Sequence, residues 1–221
     1  MNDSVLRIER PHEMVRNQLF RVIRQAILDG ILSPGEKLTE RRLIELTGTS
    51  RTSIREALRQ LQAAGLVETS VSRGVQVVTL TTKDVLEIYE VRQALESQAI
   101  ANFTERADQA LVEEACALIQ PFENREQTRE TVERFEALIL RGSGNELLSQ
   151  ILGNLHDRIQ VLRNLSMSDP SRWEESHAEY VALVDAIRSR DPERARRATV
   201  DHVTAARNAA LRALARNENG D

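Results

Sequence analysis

The chain has 221 residues, a single cysteine, 3% aromatic residues and a formal net charge of −4. That length can carry two small domains with their own cores, and so few rings argue against a single-strand or RNA binder that works by stacking. One cysteine excludes an intrachain disulfide and fits a reducing compartment, no apolar run approaches membrane-spanning length, and the first ten residues lack a signal-peptide core, so a cytoplasmic protein with no membrane partner is expected.

The charge is unevenly placed. Residues 1–80 hold 12 Lys/Arg against 9 Asp/Glu, a net +3, and residues 81–221 hold 18 against 25, a net −7. Such asymmetry suits a nucleic-acid reader joined to a regulatory domain, with the boundary expected at residues 79–82, giving domains 1–80 and 81–221. Residues 1–10 read as an arm. A first helix is expected from about Pro11 to Asp29, with Val15, Leu19, Val22, Ile23, Ala26 and Ile27 on one side and Gly30 stopping it. Thr39 and Ser50 read as N-caps of two short helices that meet at Thr47-Gly48-Thr49-Ser50. On the second of these, Ile54, Ala57, Leu58 and Leu61 follow the i, i+3, i+4, i+7 spacing of a buried stripe, while Thr52, Arg55, Glu56 and Arg59 point the other way. Hydroxyls and guanidinium groups on one face of a helix suit a DNA groove. Leu66 to Val78 reads as a β-hairpin with valines at 67, 71, 75 and 77 and Arg73-Gly74 near its tip. This is the order of a winged helix-turn-helix.

Everything beyond residue 81 reads as helix. Six helices are expected: from Thr81 or Thr82 to about Phe103, Ala107 to Gln120, Glu126 to Arg141, Asn145 to Leu165, one capped by Ser168 or Asp169, and one opened by Asp191-Pro192 and reaching about Ala215. Short links between them predict an all-α bundle, so the chain as a whole is mainly α. Cys116 shares a face with Leu111, Ala115 and Ile119 and reads as a small buried hydrophobe rather than a redox switch.

Gly35-Glu36-Lys37-Leu38, Ser50-Arg51-Thr52, Arg55-Glu56-Ala57-Leu58, Leu61, Gly65-Leu66 and Arg73-Gly74 resemble the GntR family of bacterial transcriptional regulators. The second half resembles the FadR subfamily, whose all-helical effector domain is called FCD. The matching residues are Tyr89-Glu90-Val91-Arg92, Leu95-Glu96, Phe135, Gly144-Asn145, Leu148, His177, Asp191-Pro192 and Asp201-His202. Six helices point to its shorter, VanR-like branch. The resemblance implies that Arg41, Arg51 and Arg55 contact double-stranded operator DNA, with Thr52, Ser53 and the wing around Arg73 and Gly74 assisting. The residues support this independently. Arg51 opens the reading helix, Arg55 lies one turn on and can fork onto a guanine, the hydroxyls of Thr52 and Ser53 suit phosphates, and Gly74 permits close backbone approach. The competing reading is an ordinary solvated face in which the arginines pair with Glu56 and Glu40.

In the second half, polar residues stand on apolar stripes. His177 lies among Trp173, Tyr180, Val181 and Val184, and His202 among Ala195, Ala198, Ala206 and Ala209. Glu136 lies among Val132, Phe135, Ile139 and Leu140, and Arg92 interrupts Val85, Ile88, Leu95 and Ala99. Buried polar groups need partners, and four on one bundle could meet around a cavity. The resemblance implies a divalent metal held by one Asp and three His. Here Val132 stands for the Asp and Glu136 for the first His, while His177 and His202 match the others. Glu136, His177 and His202 could therefore hold zinc or nickel in an altered site, or be joined by hydrogen bonds with no metal. Arg92 would anchor a small organic acid effector, in competition with a plain pairing to Glu96 four residues on. Asn145 is a further effector candidate, and His12 and His156 have no assigned role. The expected function is a ligand-responsive, non-enzymatic regulator, a repressor, that binds a palindromic operator as a homodimer. The alternatives are a metal-dependent hydrolase or lyase fused to a DNA-targeting module, and a constitutive DNA binder whose second domain only dimerises it.

Overall fold

The computed structural model describes residues 11–70, 74–119, 125–169 and 171–219. The chain divides into two compact units, Met1–Leu80 and Thr81–Asp221.

The first unit contains α1 (Pro11–Leu28), α2 (Glu40–Thr47), α3 (Arg51–Ala63) and a two-stranded antiparallel hairpin of β1 (Val67–Ser70) and β2 (Gly74–Val77). Its register pairs Val67 with Val77 and Ser70 with Gly74. Local chemistry sets the helix ends. Thr39 Oγ1 accepts the Arg42 amide at 3.2 Å, and Ser50 Oγ accepts the Ser53 amide at 3.2 Å. Each satisfies a donor that a first helical turn leaves over. Gly48 ends α2 in the left-handed region, with φ of 65°. The stripe Ile54, Ala57, Leu58 and Leu61 is buried, and it meets Leu19, Ile23 and Ile27 of α1 where α1 packs on α3. Ile54 and Leu61 lose all solvent contact, worth about 2–3 kcal/mol each in area removed from water. The segment before α2 is laid against the hairpin. Gly35 and Leu38 amides donate to the Val77 and Val75 carbonyls, and Val77 returns a bond to Glu36, all at 2.9 Å.

The second unit is a bundle of α4 (Thr82–Arg106), α5 (Gln109–Leu118), α6 (Arg125–Gly142), α7 (Glu146–Ser166), α8 (Ser171–Arg188) and α9 (Pro192–Asn219). The start of α4 is fixed by a capping box, in which Thr81 and Asp84 exchange side-chain-to-backbone bonds. Several boundaries differ from the sequence expectation: α4 runs on to Arg106 rather than Phe103, and α5 stops at Leu118 rather than Gln120. α5 begins after Asp108, whose Oδ1 accepts the Leu111 amide at 2.8 Å, rather than at Ala107, because a carboxylate caps a helix far better than a methyl group. α9 runs past Ala215, since no glycine or proline interrupts it before Gly220. α4 packs along α9, whose Ala195, Ala206 and Ala210 are buried.

The C-terminal end of α4 is a joint for its neighbours. A Cβ at Gly142 would stand 2.5 Å from the Phe103 ring, so only glycine fits there. Arg190 adopts a left-handed φ of 53° between α8 and α9. Its guanidinium donates to the carbonyls of Ala107 at 2.6 Å and Thr104 at 3.3 Å, and Arg106 donates to the Ser143 carbonyl at 3.1 Å. Cations thus satisfy the carbonyls that helix ends leave over. Cys116 is half-buried, with its thiol 4.0 Å from the Val184 carbonyl. Among the described residues no helix is long and apolar enough to cross a membrane.

Candidate nucleic-acid interface and effector cavity

Burying Ile54, Ala57, Leu58 and Leu61 turns the opposite face of α3 outward. Arg51 and Arg55 side chains are 69% and 59% exposed, and Thr52 beside them is exposed. Glu40, the first residue of α2, stands between the two arginines. Its Oε1 accepts Nε of Arg55 at 2.6 Å, and its Oε2 lies 3.5 Å from Nε of Arg51. The hydrogen bond and charge of Glu40 raise the pKa of Arg55 further above its ordinary value. Arg41 is exposed and lies 3.6 Å from Glu45, Arg42 pairs with Glu36 at 2.6 Å, and Arg59 pairs with Glu56 at 2.5 Å.

Ser53 departs from the sequence expectation. It is buried, and its hydroxyl meets Ser50 Oγ at 3.0 Å, so it belongs to the cap and not to a phosphate. Four residues before Ala57 and eight before Leu61, it lies on the inner stripe. Gly74 opens β2 with φ of 74° and has open space around it, so its role is conformational freedom. Arg73 lies outside the described residues.

The second unit holds a cavity of about 170 Å³. Its apolar wall comes from Ala99 and Ile100 of α4, Phe135 and Ile139 of α6, Leu152 and Ile159 of α7, and Leu183 of α8. Glu96, Glu133, Glu136, His156, Tyr180, Thr199 and His202 supply its polar groups. Behind this wall lie three charge networks. Glu136 pairs with Arg163 of α7. Arg92 donates to both Glu96 oxygens, at 2.8 and 3.3 Å, and lies 4.9 Å over the Tyr89 ring. Glu179 of α8 accepts two bonds from buried Arg172, at 2.8 and 2.6 Å, and meets Nδ1 of His202 at 2.6 Å. Phe135 meets Tyr180 edge-on with ring centroids 5.7 Å apart, and Tyr180 lies 4.8 Å from the His202 ring.

These partners set the protonation states. Burial pushes the Glu96 carboxyl up, but the charge of Arg92 more than cancels it and holds Glu96 below the usual carboxylate range. Burial likewise opposes ionisation of Glu179, and hydrogen bonds from His202 and Arg172 outweigh it, leaving the carboxyl low. Burial would lower Arg163, yet Glu136 raises it overall, and burial drives the Tyr180 phenol upward. The cavity is therefore backed by Glu96 and Glu179 held ionised beside Arg92 and Arg172.

The cavity gathers Glu136 and His202 but not the other expected residues. His177 is half-buried and lies off the cavity wall, because the buried stripe of α8 runs through Arg172, Ser176, Tyr180, Leu183 and Ile187. Glu136, His177 and His202 do not converge, and among the described residues no three His, Cys, Asp or Glu side chains are placed to hold a metal. The donor set thus does not fit the altered zinc or nickel site expected from Glu136, His177 and His202. Arg92 does not line the cavity either; it is buried and reaches the wall only through its pairing with Glu96. Asn145 is the N-cap of α7, its Oδ1 accepting the Leu148 amide at 3.0 Å, which accounts for it without a ligand. His156, which had no assigned role, is part of the wall.

Arg163, Arg172 and Glu179 carry the networks and were not singled out in the sequence. A signal was available. Arg172 precedes Ser176 by one turn and Tyr180 by two, and Arg163 follows Ile159 by one, so both sit where an apolar residue is expected.

A winged helix-turn-helix with an exposed basic reading helix, joined to a helical unit with a mostly apolar pocket, defines a DNA-binding regulator with an effector domain. Residues 15–77 match the gntR family of bacterial regulatory proteins, and residues 87–205 match the FCD domain. The chain therefore belongs to the GntR family of transcriptional regulators, and its FCD domain places it with the FadR subfamily. It is similar to the HTH-type transcriptional regulator YdhC of Bacillus subtilis, 29% identical over 195 residues that cover 84% of this chain and 86% of that protein. It is also similar to the HTH-type transcriptional repressor RspR of Escherichia coli, 25% identical over 205 residues that cover 87% of each. In fold it resembles the solved structure of E. coli McbR/YncC, with a TM-score of 0.73, 23% identity, and coverage of 93% of this chain and 99% of that one.

Proposed function

We propose that this regulator is a ligand-relieved repressor that reads a two-fold symmetric operator as a homodimer and takes a small organic molecule into the FCD cavity. The observation that carries the reading is the pairing of an exposed Arg51/Arg55 face on a firmly capped helix with a mostly apolar pocket in the helical unit. A repressor among the relatives supports the sign. A unit of net charge +3 gains little from phosphates alone, and two linked copies gain by effective concentration. A cavity of about 170 Å³ suits a ligand little larger than a single ring, since a void near 150 Å³ holds benzene. An organic acid fits if its carboxylate takes the place of Glu136 on Arg163, with the His202 ring held by Glu179 to face it.

A second ligand class has its own support. Glu133 adds a wall carboxylate beyond Glu96 and Glu136, whose charges Arg92 and Arg163 already meet, and it favours an amine. Calorimetry with small monocyclic carboxylates and amines separates the two, and His202→Ala should weaken whichever binds while leaving operator binding intact. If neither class binds and no ligand shifts the melting temperature, the second domain serves only to dimerise the chain. The hydrolase or lyase reading requires the Glu136, His177 and His202 set that does not converge. Light scattering at micromolar concentration checks the dimer, and a 25 kDa particle would refute it.

A further inference from the structure

The arginines on the reading face are not held as free cations. Glu40 engages both Arg51 and Arg55, and in each case the atom facing it is Nε, not a terminal nitrogen. No hydrogen bond occupies the NH1 and NH2 groups of either arginine among the described residues. This matters for recognition. A guanidinium can meet guanine O6 and N7 with its two terminal nitrogens while Nε remains bonded elsewhere. One carboxylate thus hydrogen-bonds Arg55 through Nε and lies within ion-pair distance of Nε of Arg51, leaving the terminal nitrogens of both available to a base. Glu40 itself is anchored as the first residue of α2, directly after the Thr39 cap, and its side chain is only 32% exposed. Its separation from Arg51 and Arg55 in sequence, across the turn at Gly48, shows that the tight packing of α2 on α3 makes the contact.

The carboxylate has a second effect. Placed between the two cations most able to reach DNA, it lowers the attraction of this face for phosphates in general. The nearby Arg42–Glu36 and Arg59–Glu56 pairs act in the same direction.

We propose that Glu40 is a positioning residue for sequence discrimination: it presents Arg51 and Arg55 end-on as a pair of guanine-reading forks and suppresses their binding to DNA of unrelated sequence. This rests on the reading of α3 as the recognition helix. Affinity for the right sequence is maintained by geometry, and affinity for the wrong one is reduced by charge. The half-site should accordingly carry two guanines within reach of adjacent turns of one helix.

The test uses the full chain, a duplex selected from a randomised pool by the wild-type protein, and a scrambled duplex of the same composition. Glu40→Gln keeps the size and removes the charge. Glu40→Asp keeps the charge at the start of α2 but is one methylene too short to hold both arginines. Both variants should lose about tenfold or more in the ratio of selected to scrambled affinity. For Glu40→Gln, binding to the scrambled duplex should rise several-fold with a steeper salt dependence. Replacing a selected guanine by 7-deazaguanine removes its N7 acceptor, and should weaken the wild type more than Glu40→Gln. An unchanged ratio in Glu40→Gln overturns the proposal. A ratio lost in Glu40→Gln but retained in Glu40→Asp overturns the positioning role, since charge alone would then suffice. If Arg51→Ala and Arg55→Ala both bind the selected duplex as the wild type does, the recognition helix itself is misassigned, a failure distinct from that of Glu40.

Discussion

Arg172→Met probes the network that ties α8 to α9. Arg172 is 2% exposed and places two hydrogen bonds on Glu179, whose other partner is His202 of α9. Methionine fills much of the same volume and removes the cation, leaving a mostly buried carboxylate with one imidazole. Breaking a buried pair from one side costs about 3–5 kcal/mol, and because Glu179 keeps His202 the lower end, about 3 kcal/mol, is expected. Trp173 is the only tryptophan and lies on α8 in the helical unit, so its fluorescence during urea unfolding follows that unit alone. Arg172→Met/Glu179→Leu, which removes both charges, should recover at least half of the loss. The pH dependence follows from the low carboxyl of Glu179. A group whose folded pKa is depressed contributes fully above its unfolded value and loses that contribution as pH falls through the folded one. Wild-type stability should therefore decline in the acid range below the ordinary carboxylate pKa, and Arg172→Met should decline less. A cost under about 1 kcal/mol, or an unchanged acid profile, would refute the assignment of Arg172 and Glu179 as a structural cross-link.

The joint at the end of α4 and the reading face give further expectations. Gly142→Ala forces a methyl group against the Phe103 ring and should destabilise by about 1–3 kcal/mol, read as a lower melting temperature. Arg190→Gly and Arg190→Ala both lose the bonds to Thr104 and Ala107, but alanine also keeps the left-handed strain, so it should be worse than glycine by about 1 kcal/mol. Arg55→Ala should weaken operator binding by about 1–3 kcal/mol and relax the preference at one base in a gel shift at physiological salt.

What the sequence showed and what it hid follow from the range of the interactions. The recognition helix was legible because its cap, Ser50, and its stripe, Ile54 to Leu61, lie within one short segment. The polar positions Glu136 and His202 stood out for the same reason. Their partners Arg163 and Glu179 lie 27 and 23 residues away on other helices, and no local pattern names them. His177 was placed on the inner face by an arc through Trp173, Tyr180, Val181 and Val184; Tyr180 and Val184 are buried, but the stripe continues through Ser176 and Arg172 rather than His177 and Trp173. An arginine on that stripe disguised it, because periodicity arguments look for apolar residues and treat a cation as solvent-facing. Glu40 entered only the competing reading of a solvated face, and the packing of α2 on α3 shows that one carboxylate faces both arginines.

The capping box at the start of α4 has a consequence for how such a chain can be rebuilt. Thr81 and Asp84 satisfy the opening donors of α4 from within the helix's own sequence, so nothing upstream of Thr81 is needed to begin it. A junction placed between Leu80 and Thr81, where the two compact units divide, leaves this start intact whatever precedes it. A different reading head grafted at that point would inherit a ready-made helix origin, which makes the chain suited to recombination as two interchangeable modules.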